Sequence, residues 1–202
     1  MRYQGALISH QSVQPVPSAA QARIISAALE LFARKGVGGT SLQMIADSIG
    51  VTKAAVYHQY NTKEQIVLAA AEAELASLES VLRAAEAEPS RLRARRILVK
   101  GMIDLAVSHR RTVGTILNDP IVTHSFSEQD SFRQVMDRIS RVLMGDEVGH
   151  QARVSTAMLT AAISGTVMHP LVTALDDDTL RSQLERLVRR LLPAMGSTPK
   201  GS

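Results

Sequence analysis

Between residues 40 and 63 the chain reads TSLQMIADSIGVTKAAVYHQYNTK, a stretch dense in short-range hydrogen-bonding side chains. Thr40, Ser41 and Thr52 carry hydroxyls, Gln43 an amide, Tyr57 a phenol, His58 an imidazole and Lys63 an ammonium. Lys53 can donate to guanine O6 or N7, and the methyls of Ala54 and Ala55 can touch a thymine methyl. This chemistry suits a polyanion whose phosphates position a protein and whose base edges are read. It does not suit catalysis. The chain has no cysteine, no Gly-rich phosphate loop and no histidine pair at ligand spacing. The GTS and ISG fragments do not make a nucleophile elbow. No catalytic residue, metal ligand or cofactor is assigned.

Two short helices and a tight turn must hold these residues. The first opens at Thr40 or Ser41, whose hydroxyl can accept a bond from an orphan amide. Gln43 stands three residues after Thr40, the spacing of a capping box. Met44, Ile45, Ile49 and Val51 supply apolar contacts, and Gly50 suits a left-handed stop. Thr52 caps the second helix, KAAVYHQY, while Ala46, Ala54 and Ala55 permit a close crossing. The pattern predicts a helix-turn-helix, whose second helix enters the major groove by its N-terminal residues.

The frame G-x-x-x-T-S-x-x-x-I-A-x-x-x-G-V-T-K-x-x-V-Y-x-x-Y-x-x-K-E resembles the DNA-binding domain of the TetR family of bacterial regulators. The preceding segment, from Ala20 to Gly36, is similar to that family's first helix, so the resemblance covers about residues 18–70. It implies that Gln43, Lys53, Ala54, Ala55 and His58 face bases. It implies phosphate contacts from Thr40, Ser41, Thr52, Tyr57 and Lys63. Tyr60 takes the family's buried aromatic position. Tyr57 stands open between packing and phosphate.

At 202 residues the chain is long enough for one or two small domains with a real core. Hydrophobic residues make up 45% but aromatics only 3%, so Ala, Leu, Ile, Val and Met must fill that core, a mix that favours helices. The absence of cysteine excludes a disulfide framework and suits a cytoplasmic location. No stretch reaches the ~18 apolar residues of a membrane span. Net charge is +4. Between Ser18 and Gln65 the basic residues are Arg23, Arg34, Lys35, Lys53 and Lys63, against Glu30, Asp47 and Glu64. The DNA argument therefore rests on placement rather than on charge excess.

Around the helix-turn-helix the periodicity predicts an all-α chain. Residues 1–17 form an arm with Pro15 and Pro17, and Ser18 with Gln21 makes a capping box for the first helix. A DNA-binding head covers 18–64, a helical body 65–195, and a small polar tail 196–202. Thr62 caps a long helix to about residue 88, and further helices fall at about 90–109, 111–117, 128–144, 147–174 and 178–193. Pro170 should kink or end the fifth of these six, and Pro193 should stop the last. The run Arg91, Arg93, Arg95, Arg96 reads either as a solvated helix face or as a partner for an acidic ligand or DNA phosphate.

By resemblance the body dimerises and binds a small molecule. Met102, Leu105, Ile116, Leu117, Phe126, Phe132, Met136, Met158 and Met168 are apolar lining candidates, and Asn118, His124 and His169 polar anchors. The same apolar residues serve equally as plain core. Leu180, Leu184, Leu187, Val188 and Leu191 form one stripe on the last helix and are assigned to a homodimer interface, with Met158, Ala161, Ala162 and Gly165 opposite. Covering the subunit's own core is the other reading of that stripe. The expected function is a homodimeric DNA-binding transcriptional regulator, a repressor of a palindromic operator released by a small, mostly apolar effector. The competing reading is a helical protein-interaction adaptor without specific DNA binding.

Overall fold

The computed structural model describes residues 17–110, 112, 114, 130–145 and 149–195, the last four in backbone only. Among these residues there are eight α-helices, one 3-10 turn and no strand. The helices are α1 (Ala19–Lys35), α2 (Leu42–Ile49), α3 (Lys53–Gln59), α4 (Lys63–Glu86), α5 (Arg91–Ser108), α6 (Asp130–Met144), α7 (His150–Met168) and α8 (Asp177–Met195), with the 3-10 turn at Pro170–Val172. The segment 111–117 expected as a helix, the arm up to residue 16 and the tail from residue 196 lie outside the described residues or nearly so. None of the described helices is long and apolar enough to cross a membrane.

Local rules set most ends. The Ser18–Gln21 capping box is formed in both directions, with Gln21 N–H donating to Ser18 Oγ and Ser18 N–H to Gln21 Oε1. Thr62 Oγ1 accepts from Gln65 N at the head of α4. Asp176 Oδ1 accepts from Thr179 N at 2.8 Å, and that bond holds the Asp176 carboxyl below its ordinary range. Pro170 ends α7 sooner than the expected 174. Its ring drives His169 to an extended conformation (φ −70°, ψ 136°), so the helix stops at Met168. Pro193, by contrast, does not stop α8, which runs on to Met195. So near an end, the missing N–H removes a single backbone bond.

Two apolar clusters follow. The first joins α1, α2, α3 and the first two turns of α4, through Ile24, Ala28, Phe32, Ile45, Val56, Tyr60, Ile66 and Ala70. The second joins the far half of α4 to α5, α6, α7 and α8, through Leu82, Leu98, Ile103, Ile139, Leu159 and Leu180. Leu75 packs against both. The head therefore shares α4 with the body well past residue 64. Across the body, Arg138 on α6 grips Glu86 on α4 with two bonds of 2.9 and 2.6 Å, and Arg181 on α8 meets Asp104 on α5 at 2.9 Å.

The stripe on α8 divides. Leu180, Leu184 and Val188 are buried in the body cluster, so their assignment to a dimer interface is corrected: they pack on α5 and α7 of their own subunit. Leu187 and Leu191 are 51% and 49% exposed. Buried and exposed positions alternate because the apolar stripe is wider than the face that one core can cover.

Candidate nucleic-acid interface

The turn between α2 and α3 is built by one glycine and two caps. Gly50 takes φ 69°, ψ 35°, a left-handed conformation costly to residues with a side chain. Its N–H closes α2 on Ala46 and Asp47 carbonyls. Ser41 Oγ accepts from Met44 N, and Thr52 Oγ1 accepts from Ala55 N, both at 3.2 Å. The capping box expected from Thr40 and Gln43 is absent. Ser41 is the N-cap, and Gln43 Nε2 turns forward to Asp47 Oδ1 at 2.7 Å.

On α3, Val56 is buried while Lys53, Ala54, Ala55, Tyr57 and His58 are exposed. Lys53 Nζ sits 5.3 Å from the centroid of the Tyr57 ring, a cation–π contact that holds both over one side of the helix. Gln59 Nε2 lies 3.1 Å from His58 Nδ1. An amide nitrogen only donates, so with the amide so placed Nδ1 accepts and the ring proton resides on Nε2. That leaves His58 a free outward donor. Tyr60 is in the core, as its buried position in the frame implies, and burial raises its phenol above the ordinary range.

Two expected phosphate ligands are placed elsewhere. Thr40 is buried, and its hydroxyl donates to Gly36 O at 2.9 Å, which fastens the α1–α2 turn. Lys63 Nζ reaches back across the same turn to the carbonyls of Val37 (2.8 Å), Gly38 (3.3 Å) and Thr40 (3.4 Å). An ammonium has three N–H donors, and three carbonyls occupy them. Both residues are corrected from DNA contact to internal ties of the head. Partners 23 to 26 positions away are invisible to local spacing. What remains exposed is Ser41, Gln43, Thr52, Lys53, Ala54, Ala55, Tyr57 and His58. Sequence reasoning missed Arg23 and Gln59, which with Ala20, Ile24, Ile49, Val51, Ala55 and His58 line a groove of about 290 Å³ between α1 and α3. Arg23 also donates to Ile49 O at 3.4 Å, tying α1 to the end of α2.

Residues 24–70 match the model of the bacterial regulatory proteins of the tetR family. Over those residues the head is similar to the DNA-binding domain of that family. The chain is 42% identical over 50 residues to YerO, an uncharacterized HTH-type transcriptional regulator of Bacillus subtilis, a stretch that is 25% of this chain and 17% of that protein. It is 43% identical over 44 residues to IcaR, the HTH-type negative transcriptional regulator of the biofilm operon icaADBC in Staphylococcus epidermidis, over 22% of this chain and 24% of that one. The matched region thus spans under a quarter of these two relatives. Beyond the head the likeness is one of fold. The SmeT–triclosan complex superposes with a TM-score of 0.68 at 21% identity, over 91% of this chain and 94% of that one.

The body candidates do not converge on one place. Met102 is buried and Met136 half-buried in the body cluster, and Leu105 on α5 is half-buried. Phe132 packs against the head cluster instead, and Met158 is 60% exposed on α7. His169 Nδ1 accepts from Leu171 N and caps the 3-10 turn. The assignment of Phe132, Met158 and His169 to one pocket is therefore corrected, since an apolar period does not say which neighbour a face meets. Ile116, Leu117, Asn118, His124 and Phe126 lie outside the described residues.

Proposed function

We propose that this chain is a DNA-binding transcriptional regulator that acts as a homodimeric repressor on a palindromic operator. The observation that carries the reading is the exposed row Lys53, Tyr57 and His58 on α3 of a TetR-family head. Gln43, Ala54 and Ala55 join it at the base edges, and Ser41, Thr52 and Tyr57 supply phosphate contacts. Pairing of two subunits through Val154 and Met158 of α7 with Leu187 and Leu191 of α8 supports the dimer, since all four are large, apolar and exposed. Two heads one helical turn apart would then read two half-sites. The repressor sense is taken from the negative regulator IcaR.

The effector is a small, mostly apolar molecule held in the body, where Met102, Leu105 and Met136 are the lining candidates. A structure of similar fold is that of a SmeT–triclosan complex. Effector binding would shift the two heads out of register with the grooves. The test is selection of binding sites from random duplex DNA, followed by affinity measurements across salt. A regulator yields a two-fold symmetric consensus and a steep loss of affinity with salt. Failure to enrich any sequence, with no salt dependence, would instead favour an adaptor that binds proteins.

A further inference from the structure

The groove between α1 and α3 opens beside the point where the chain enters α1. Ala20, in the first turn of that helix, is part of its wall. Ile24 is buried, and Ile49 and Val51 are half-buried, so these three form the floor, while Ala55 and His58 are exposed at the rim. The polar side chains around it turn their polar atoms to protein. Arg23 donates to Ile49 O, and Gln59 Nε2 faces His58 Nδ1. What is left is a mostly apolar trough of about 290 Å³. Apolar surface of this kind is costly in water and is relieved by an apolar cover.

Residues 1–16 precede the described part of the chain and join it at the mouth of this groove. Ser18 is extended (φ −60°, ψ 161°), so the backbone departs from the helix there. Residues 3–17 carry no Asp, Glu, Lys or Arg. The last of them read Val13, Gln14, Pro15, Val16, Pro17. Each proline fixes its own φ and drives the residue before it to an extended conformation. The segment is therefore biased to polyproline II, which has three residues per turn and no internal hydrogen bonds. Val13 and Val16 then share one face about 9 Å apart, and Gln14 lies on another. At about 3.1 Å per residue, Val13 stays within about 16 Å of Ser18, the reach needed to lie along the trough. A segment already extended loses little entropy on docking, and it asks no hydrogen bonds of an apolar wall.

We propose that residues 13–17 occupy this groove, with Val13 and Val16 against Ile24, Ile49 and Val51. The seat is the floor and the α1 side, so the row Lys53, Tyr57 and His58 stays open. The segment braces the α2–α3 turn from the chain's own N-terminal side. This holds whether or not α3 reads an operator.

The experiment uses the full chain free of DNA. The sequence has no cysteine, so Gln14→Cys gives a single site for a nitroxide label. The label should broaden the amide resonances of Ile49 and Val51 and leave that of Leu184 in the body unchanged. In the same labelled chain, Val13→Asp with Val16→Asp should remove most of that broadening and lower Tm by about 2–4 °C, with unchanged far-UV circular dichroism. Val13→Ile with Val16→Ile keeps the apolar face and should preserve both. Broadening confined to the first turn of α1 overturns the proposal, because the chain then leads away from the groove. So does broadening at Ile49 and Val51 that survives the aspartates. In a mixture of spin-labelled chain with isotope-enriched, unlabelled chain, broadening of the enriched signals would assign the groove to a second copy. Broadening that arises only once duplex DNA is added would make it a product of DNA binding. Either result also overturns the proposal.

Discussion

Single side chains of the head divide into proposed readers and internal ties. Lys53 and His58 keep donors free at the surface, and each is oriented by a neighbour, Tyr57 and Gln59 respectively. Replacing either by alanine should relax discrimination between the selected operator and a site mismatched at one position, by about 1–3 kcal/mol. Competition binding measures this, and unchanged ratios in both variants would remove them from base reading. Lys63 belongs to the other group. Lys63→Gln strands carbonyls of the α1–α2 turn that are partly sheltered, and should lower stability by about 1–2 kcal/mol, read as a drop in Tm. The slope of log affinity against log salt should stay as in the wild type, because no phosphate contact is lost. A flattening by about one unit would return Lys63 to the phosphate ligands.

Elements were legible where their determinants are local. Ser18, Thr52 and Thr62 cap helices, and Gly50 stops one, because each rule needs only a few adjacent residues. The long span of α4 follows from its periodic apolar residues. Thr40 was misplaced because its hydroxyl serves the turn behind it, not the helix ahead. The candidate site was thus legible in its exposed members and not in its ties. Between elements, the Glu86–Arg138 pair joins α4 to α6 with a bidentate bond that lowers the Glu86 carboxyl below its ordinary value. A depressed carboxylate contributes stability above its unfolded value of about 4.3 and loses it as pH falls through the lower folded value. Both side chains are about one-third exposed, so screening limits the gain to about 1 kcal/mol. Denaturant unfolding should therefore show wild type more stable than Glu86→Gln at pH 7, with the gap closing as the pH drops below 4. A gap that persists in acid would assign the effect to packing instead.

For the whole molecule, the two edges of the α8 stripe have opposite fates. Leu184 is 5% exposed in the body core, while Leu187 and Leu191 are bare. Hydrophobic period alone shows a stripe and cannot tell which edge meets the subunit's own core. Leu184→Glu buries a charge without a partner and should unfold the body, at a cost of several kcal/mol. Leu187→Glu with Leu191→Glu should leave the fold intact, convert a dimer to a monomer in sedimentation, and remove most operator affinity, since two half-sites must be held together. A folded double variant that still sediments as a dimer would place the interface elsewhere.

In the proposed regulator, the lysine that stitches α4 to the α1–α2 turn would also govern how motion travels. With Nζ bound to three carbonyls of that turn, the start of α4 is tied directly to the head. α4 then behaves as a lever about 36 Å long with its load rigidly attached, and a tilt of about 5° at the body end carries the head roughly 3 Å. That displacement is as large as a hydrogen bond is long, so a body that barely repacks can take the donors on α3 out of reach of their acceptors. In mechanical terms the lysine removes the backlash, and a transmission without backlash spends none of its small input before the output moves.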